Sequence, residues 1–429
     1  MTQTLPRTLR SARRPLPPEA FTREETYAET RLPVTSATTL IPDAYTSEEF
    51  YALEQERVFA TTWVAVGCTS DLKNPGDAIV ADAAGQSIIV VRNKEGQLRA
   101  FYNVCRHRGA QLLTPDQTHV RKFFRCPYHS WAYDFDGRCL GTPLFTDSAI
   151  PEDQQAIFDM RARKFDKADY GLLPVHVDTW GCLVFVNLEA EPMPLAEQLG
   201  DLATRLGGYR LDEQELVRTM RYDVKANYKL IAENFMECYH IPWVHPGLAK
   251  ISPAEDHYRY QGPGMYMGMC TTPLQPGDEF KALRPIDGLT GTDPVSGRYC
   301  WVFPNVAVAA LPNHTFVILA IPTRPDYTIE KTYLLVHPDS LTGPDLDGAL
   351  DRLADFWDLV NREDVSIVER VQEGLKNRAY GGGRICYGFE EPIHRFQSMV
   401  IDRMVGIRRV PPGDAEEGRP MYPKPNRTR

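Results

Sequence analysis

The spacing of apolar positions changes character several times along the chain. Residues 1 to about 40 are rich in Pro, Thr and Arg and sustain no period, which predicts an extended arm. Behind Thr46-Ser47-Glu48-Glu49, Phe50, Leu53 and Val58 recur at helical spacing, predicting a short helix with a polar cap over 45–59. From Trp63 to about Leu173 the pattern turns to short β-rich runs such as Ala78-Ile79-Val80, Ser87-Ile88-Ile89-Val90-Val91 and Leu98-Arg99-Ala100-Phe101. Pro75-Gly76-Asp77, Ala84-Gly85 and Glu95-Gly96 punctuate them as turns, so a small all-β domain is expected. Cys182 to Val186 reads as a strand, followed by a short helix near 195–206. Arg221 to Val224 is strand-like, 228–239 helical, and strands return over 299–303, 306–310, 315–321 and 331–336. A long amphipathic helix is expected over 346–376, and a Pro- and charge-rich tail follows Val410. No internal repeat is visible. The predicted organisation is an arm (1–44), a helical lead-in (45–62), a small β domain (63–173), a larger domain (174–410) and a tail (411–429).

Bulk properties narrow the class. A length of 429 residues suggests two to three domains, and 43% apolar with 24% charged residues is ordinary for a soluble globular protein. The net charge of −9 without a basic block gives no support for a nucleic-acid partner. No apolar run approaches the ~18 residues that span a bilayer. Arg7, Arg10, Arg13 and Arg14 precede no apolar segment, which argues against a secretory or twin-arginine signal. Nine Cys without a regular framework read as reduced thiols in a cytoplasmic setting.

Two constellations carry chemistry. Cys105-Arg106-His107 and Cys126-Pro127-Tyr128-His129 each offer one thiolate and one imidazole from a loop after a β-run. Zinc fingers usually pair Cys with Cys and His with His. The mixed pairing suits a [2Fe-2S] cluster with Cys105 and Cys126 on one iron and His107 and His129 on the other; structural zinc is the alternative. Neither loop carries a second Cys that could form a disulfide across the site.

The second constellation is Glu237, His240 and His245 within Glu-x2-His-x4-His. Glu237 and His240, at i and i+3, are expected to share a helical turn, while Pro242 breaks the helix and lets His245 converge on His240. A mononuclear Fe(II) site needs two His and one carboxylate with open positions for O2. In the closing helix, Leu350, Leu353, Trp357, Val360, Ile367, Val371 and Leu375 form an apolar stripe, and Asp364 falls on it. A buried carboxylate is costly unless it is paired or bound to metal, so Asp364 is the expected third ligand; pairing with a buried Arg is the alternative. Glu363 and Glu369 lie off the stripe and are expected in solvent. His176, His314 and His394 have no such partners and read as ordinary histidines.

These motifs, in this order over about 45–380, resemble the α (oxygenase) subunit of the Rieske non-heme iron oxygenases. Arg108-Gly109 and Ser130-Trp131 are similar to the loop residues of that family's cluster domain. The resemblance implies an α+β fold, an all-β Rieske [2Fe-2S] domain inserted in a helix-grip catalytic domain of antiparallel sheet plus helices. It implies a [2Fe-2S] cluster, mononuclear Fe(II), O2, and NAD(P)H electrons delivered by a separate flavin/iron-sulfur reductase, with or without a ferredoxin. It also implies a homotrimer, with Glu237 linking His240 to the cluster ligand His129 of a neighbouring subunit. Glu237-Cys238-Tyr239-His240, Glu363-Asp364-Val365 and Gln372-Glu373-Gly374-Leu375 resemble the subgroup acting on carnitine, choline and glycine betaine. The aromatic-ring dioxygenases, which serve aromatic hydrocarbon catabolism, usually have Asp where this chain has Glu237.

The expected activity is therefore monooxygenation or C–N cleavage of a quaternary ammonium compound. A dioxygenase acting on an aryl carboxylate and a Rieske electron-transfer protein are the alternatives. A quaternary amine calls for aromatic faces, and Trp243, Tyr258, Tyr260, Tyr266, Trp301 and Phe303 are the candidates.

Overall fold

A computed structural model describes residues 13–144, 165–275, 277, 283–343, 345–415 and 417–421. The chain divides into two compact units, Val66–Thr179 with Leu183–Ala190, and Met1–Ala65 with Trp180–Cys182 and Glu191–Arg429.

The smaller unit is built on a six-stranded sheet in the order β1-β9-β8-β4-β3-β2. Its strands are β1 (Val64–Cys68), β2 (Ala78–Ala83), β3 (Gln86–Arg92), β4 (Leu98–Tyr102), β8 (Pro174–Trp180) and β9 (Leu183–Asn187). Between β4 and β8 the chain forms a small sheet of β5 (Phe124–Arg125), β6 (Ala132–Tyr133) and β7 (Cys139–Gly141). Ile89, Val91, Phe101, Phe124, Trp131 and Tyr133 pack into one core that also takes in Cys105 and Cys126. The two thiols are therefore held by hydrophobic burial as well as by their loops. The expected boundary after Leu173 moves: β8 pairs with β4 through Ala100–Val175 and Phe101–Pro174, and β9 joins the same sheet. A strand's ladder partner is a tertiary fact, and an apolar run does not announce which sheet it completes.

The larger unit carries a seven-stranded antiparallel sheet. Its order is β10 (Glu215–Val224), β16 (Tyr327–Val336), β15 (His314–Arg324), β14 (Val306–Leu311), β13 (Gly297–Val302), β12 (Tyr266–Thr271) and β11 (His257–Arg259). Its longer helices are α1 (Glu48–Arg57), α2 (Tyr228–Phe235), α3 (Leu346–Leu375) and α4 (Glu391–Met404). Ser47 caps α1 by accepting from the Phe50 amide at 3.2 Å. Register lines up Met269, Tyr299, Ala309, Phe316 and Leu334 side by side on one face. Alanine between Tyr299 and Phe316 leaves room where a large side chain would project.

Buried polar contacts fix α2. Lys229 and Glu54, both fully buried, meet through two N–H···O contacts of 2.9 Å, and the Tyr228 hydroxyl donates to Glu54 at 3.0 Å. The ammonium also lies 4.8 Å from the Tyr228 ring centroid and 5.3 Å from that of Phe50. One turn later Glu233 accepts from Tyr45 Oη at 2.6 Å and from Gln397 Nε2 of α4 at 2.9 Å. Burial pushes the Glu233 carboxyl up to about 7 against these hydrogen bonds.

Four expectations change. The arm is not extended after residue 17: it forms 3-10 turns Pro18–Thr22 and Glu24–Tyr27, anchored by Phe21 and Tyr27, each 1% exposed. Two aromatics in a polar stretch leave no period to read. The tail is also docked, with Arg259 N donating to Arg419 O and Met421 N to His257 O, both at 3.0 Å. Residues 1–12 of the arm, with Arg7 and Arg10, and 422–429 of the tail lie outside the described residues. α4 was not anticipated; its apolar face of Ile393, Phe396, Met399 and Val400 is buried behind charged neighbours. The inner face of α3 runs through Val360, Val368, Gln372 and Leu375, so Ile367 and Val371 are displaced from it and Val371 is exposed. Gln372 belongs inside because it donates to Tyr45 O at 3.0 Å and accepts from Asn227 N at 2.9 Å. Among the described residues, no helix is long and apolar enough to cross a membrane.

The Lys229–Glu54 pair yields a stability prediction. Lys229→Met should destabilise the protein by about 3–5 kcal/mol, because a buried carboxylate loses its partner. The double variant Lys229→Met/Glu54→Leu should recover most of that loss. Melting followed by near-ultraviolet circular dichroism tests both; equal losses in the single and double variants would count against the pairing argument.

Candidate metal centres

In the smaller unit, two loops present the Cys and His pairs with matching backbone geometry. Cys105 O accepts from Gly109 N at 3.0 Å and Cys105 N donates to Ala110 O at 2.8 Å. Cys126 repeats this, accepting from Ser130 N at 3.0 Å and donating to Trp131 O at 2.8 Å. Each loop turns through a left-handed residue at the equivalent place, Gly109 (φ 72°) and Ser130 (φ 57°). The two turns bring the imidazoles together: the His107 and His129 ring centroids are 4.7 Å apart, and His107 stacks on Trp131 at 4.8 Å. Both thiols are 2% exposed. Burial and the neighbouring Cys126 thiol push Cys105 up, against a 3.2 Å contact with Tyr133 Oη. His129 Nδ1 is buried with no hydrogen-bonding partner among the described residues. A nitrogen left in this way costs free energy unless something binds it, so two thiols and two imidazoles here fit a mixed-ligand [2Fe-2S] cluster. The Tyr133 contact to a ligand sulfur would raise the potential of such a cluster.

In the larger unit, His240, His245 and Asp364 offer ligand atoms that all lie within 4.8 Å of one another. α2 ends at Phe235, four residues before the helix was expected to end, so Glu237 and His240 do not share a helical turn. They occupy the bend before the short helix Ile241–Val244, and Glu237 caps that bend by accepting from the amides of Tyr239 and His240. The same carboxylate accepts from His240 Nδ1. His245 is treated alike from another element: Glu363 Oε2 meets its Nδ1 at 2.7 Å. Glu363 was expected in solvent. It lies next to Asp364 on α3, and successive helical positions point about 100° apart, so the two carboxylates straddle the imidazole.

With each Nδ1 engaged by a glutamate, each Nε2 turns to Asp364, at 3.4 Å from His240 and 2.8 Å from His245. Carboxylates behind metal-binding imidazoles fix the tautomer and raise ligand basicity. Burial pulls the His240 imidazole down, but its hydrogen bonds to Asp364 and Glu237 outweigh this and hold it up at about 10. Burial pushes Asp364 up, and its contacts with His240 and His245 reverse that and hold it below the usual carboxylate range. Two imidazoles and one carboxylate on one side of a cavity form the donor set of a non-heme Fe(II) site.

The triad opens on a cavity lined by Phe235, Ile241, Leu248, Met269, Tyr299, Phe316, Ile318, Trp357 and Val360, with polar contributions from Asn234, Glu237, Ser252, His257 and Asn361. Trp357 stacks on Phe316 at 4.4 Å and donates Nε1–H to His314 Nε2 at 2.9 Å, so His314 is a core histidine that orients a cavity wall. Asn361 donates to the buried Glu330 at 2.6 Å, and burial pushes that carboxyl up to about 8.

None of the aromatic residues proposed from sequence lines this cavity. Trp243 is 80% exposed and Tyr258 is half-buried on β11. Tyr260 lies against the Arg298 and Arg205 guanidinium groups, and Tyr266 donates to Asp201 at 2.8 Å. Trp301 donates Nε1–H to Pro304 O at 2.9 Å, and Phe303 packs on Phe396 at 5.9 Å. Tyr299 was missed although β alternation places it on the same face as Trp301. Phe316 and Trp357 come from a strand and a helix far away in sequence.

A family model for the Rieske [2Fe-2S] domain matches residues 62–152, and one for the ring hydroxylating alpha subunit (catalytic domain) matches 211–406. The carnitine monooxygenase oxygenase subunit of Acinetobacter pittii is 31% identical over 340 residues, covering 77% of this chain and 84% of the relative. The glycine betaine monooxygenase oxygenase subunit of Pseudomonas aeruginosa is 27% identical over 391 residues, covering 82% and 86%. A crystal structure of the quaternary ammonium Rieske monooxygenase CntA with an inhibitor superposes with a TM-score of 0.73 at 27% identity, covering 92% of this chain and 100% of that one.

Asp364→Ala should abolish mononuclear iron binding while the visible absorption of the [2Fe-2S] chromophore persists. Metal analysis beside the visible spectrum checks this; loss of both signals would refute the separation of the two centres.

Proposed function

The chain belongs to the Rieske non-heme iron oxygenases, as an α (oxygenase) subunit, and from that premise we propose that it monooxygenates a small quaternary ammonium compound. The observation that carries the reading is the cavity at the His240–His245–Asp364 triad, where Phe235, Tyr299, Phe316 and Trp357 offer aromatic walls close to two carboxylates. Ring faces attract a cation that has no N–H to donate. Likeness to the carnitine and glycine betaine enzymes points the same way.

Iron, when bound, lets O2 react with a substrate C–H bond at the expense of two electrons and two protons, giving C–OH and water. Where the hydroxylated carbon bears the nitrogen, the C–N bond then breaks as the new hydroxyl gives up its proton, releasing an aldehyde and a tertiary amine. His240, His245 and Asp364 hold the metal, and Glu237 and Glu363 keep both Nε2 atoms aimed at it. Electrons come from NAD(P)H through a separate reductase, and Cys105, His107, Cys126 and His129 would hold a [2Fe-2S] cluster, which supplies one-electron redox chemistry. The subunits act as a trimer, in which Glu237 links His240 to His129 of the partner subunit.

A single-turnover assay tests the reading: chemically reduced protein is exposed to O2 with carnitine, choline, glycine betaine, proline betaine or aryl carboxylates. Mass spectrometry should find a hydroxylated or dealkylated amine; an oxygenated aryl acid instead would overturn the substrate class. Glu237→Gln should retain both metals and slow product formation about 10–100-fold, as losing a carboxylate behind a ligand histidine does. Wild-type turnover in that variant would remove Glu237 from the path.

A further inference from the structure

A second, smaller cavity of about 20 Å³ adjoins the metal-facing one, and Asn234, Phe235, Ile318, Asn361 and Asp364 line both. A space of that size holds one water molecule where about two to four polar groups receive it. Glu330, Asn361, Asn234 and Asp364 supply those groups, set among Ile231 and Val368. Glu330 is a carboxyl in mid-strand, 1% exposed, and register places it between Tyr222 of β10 and Ala320 of β15. It accepts from Asn361 Nδ2 at 2.6 Å, through Oε1, and among the described residues no hydrogen bond joins it to His240, His245 or Asp364. No Lys, Arg or His lines the small cavity among the described residues. The titratable groups that face Glu330 are Asp364 of α3, a like charge, and Tyr222 of β10, whose hydroxyl donates to Asp358 at 2.6 Å. A buried carboxylate without a cation takes up a proton. Burial, opposed by the Asn361 hydrogen bond and aided by the Asp364 charge, pushes Glu330 up to about 8. Because Oε1 accepts from the amide, the acid hydrogen sits on Oε2.

We propose that Glu330 is an internal acid of the oxygenation reaction, passing its Oε2 proton through one water in the small cavity to the cavity in front of the triad. The reaction takes up two protons with the two electrons from the reductase: a substrate C–H bond and the O–O bond break, and C–OH and water form. Glu330 provides one of those protons, is left as a carboxylate to which Asn361 still donates, and regains a proton from solvent once product has left. Asn361 is the positioning residue, since holding Oε1 turns Oε2 to the water. A general acid works through one water when the geometry is fixed in this way. Set back behind Asn361, the carboxyl delivers a proton without becoming a further metal ligand. The inference rests on the oxygenase activity of the family and is independent of the quaternary-ammonium reading.

The test compares the wild type with Glu330→Gln, which keeps an acceptor for Asn361 and removes the acid. Infrared difference spectra of the two anaerobic holoenzymes near neutral pH should show a protonated-carboxyl C=O band in the wild type that shifts in D2O and that the variant lacks. Absence of that band would mean that Glu330 is ionised and would overturn the proposal whatever the substrate. Single turnover with glycine betaine should be about 100-fold slower in Glu330→Gln, at the low end of what a placed general acid contributes. Iron content and melting temperature should stay unchanged. The wild-type rate should fall as rising pH ionises Glu330, the slow rate of Glu330→Gln should stay flat, and Glu330→Asp should regain part of the rate. A purely structural role would move neither the band nor the pH profile. Equal rates in wild type and Glu330→Gln would overturn the proposal; should that variant unfold, a wild-type rate that does not fall with rising pH would do the same. Failure of the wild type to oxidise glycine betaine would count against the substrate class alone, and the infrared band would still decide the role of Glu330.

Discussion

The catalytic unit is organised around a single requirement: Asp364 must meet His240 and His245, which come from a segment more than 115 residues earlier. A carboxylate on the inner face of a helix is tolerable only where cations or polar hydrogens await it. That requirement fixes α3 over the sheet, fixes the bend after α2, and explains why a glutamate stands behind each imidazole. Glu237 is local, reaching His240 across three residues, whereas Glu363 is distant and depends on the rotation of α3 about its axis.

Holding such a site in register takes polar contacts in places where apolar packing would be simpler. Lys229 and Glu54 tie α2 to α1, Glu233 ties it to Tyr45 and α4, and Gln372 ties α3 to the lead-in and to the start of α2. Apolar contacts tolerate small slips; a hydrogen bond of about 2.9 Å does not, because its energy falls steeply with misalignment. The network therefore limits how far the metal-bearing segments can move relative to the sheet. The cluster unit solves the corresponding problem with backbone, through two loops of matching hydrogen-bond pattern that bury the thiols and leave the imidazoles at the tips.

The cavity combines two kinds of surface. Aromatic faces from α2, β13, β15 and α3 suit a cation without N–H groups, and Ser252, Thr271 and His257 add a buried hydrogen-bonded patch beside them.

Both donor sets were legible in the chain itself. Cys105, His107, Cys126 and His129 stand at short spacing because each pair is carried by one turn, and Glu237, His240 and His245 are local for the same reason. Asp364 could be picked out because a charge on an apolar stripe needs a partner. The antiparallel strands and α3 were visible in their periodicity. The tertiary structure alone decided what depends on distant segments meeting: that β8 and β9 complete the cluster sheet, that Glu363 rather than solvent meets His245, and that Gln372 rather than Val371 points inward. It also replaced Trp301 and its companions with Tyr299, Phe235, Phe316 and Trp357 as the cavity wall. Local patterns record which way a side chain points from its own element, whereas a cavity is a property of several elements facing one another, and no single stretch of sequence encodes that.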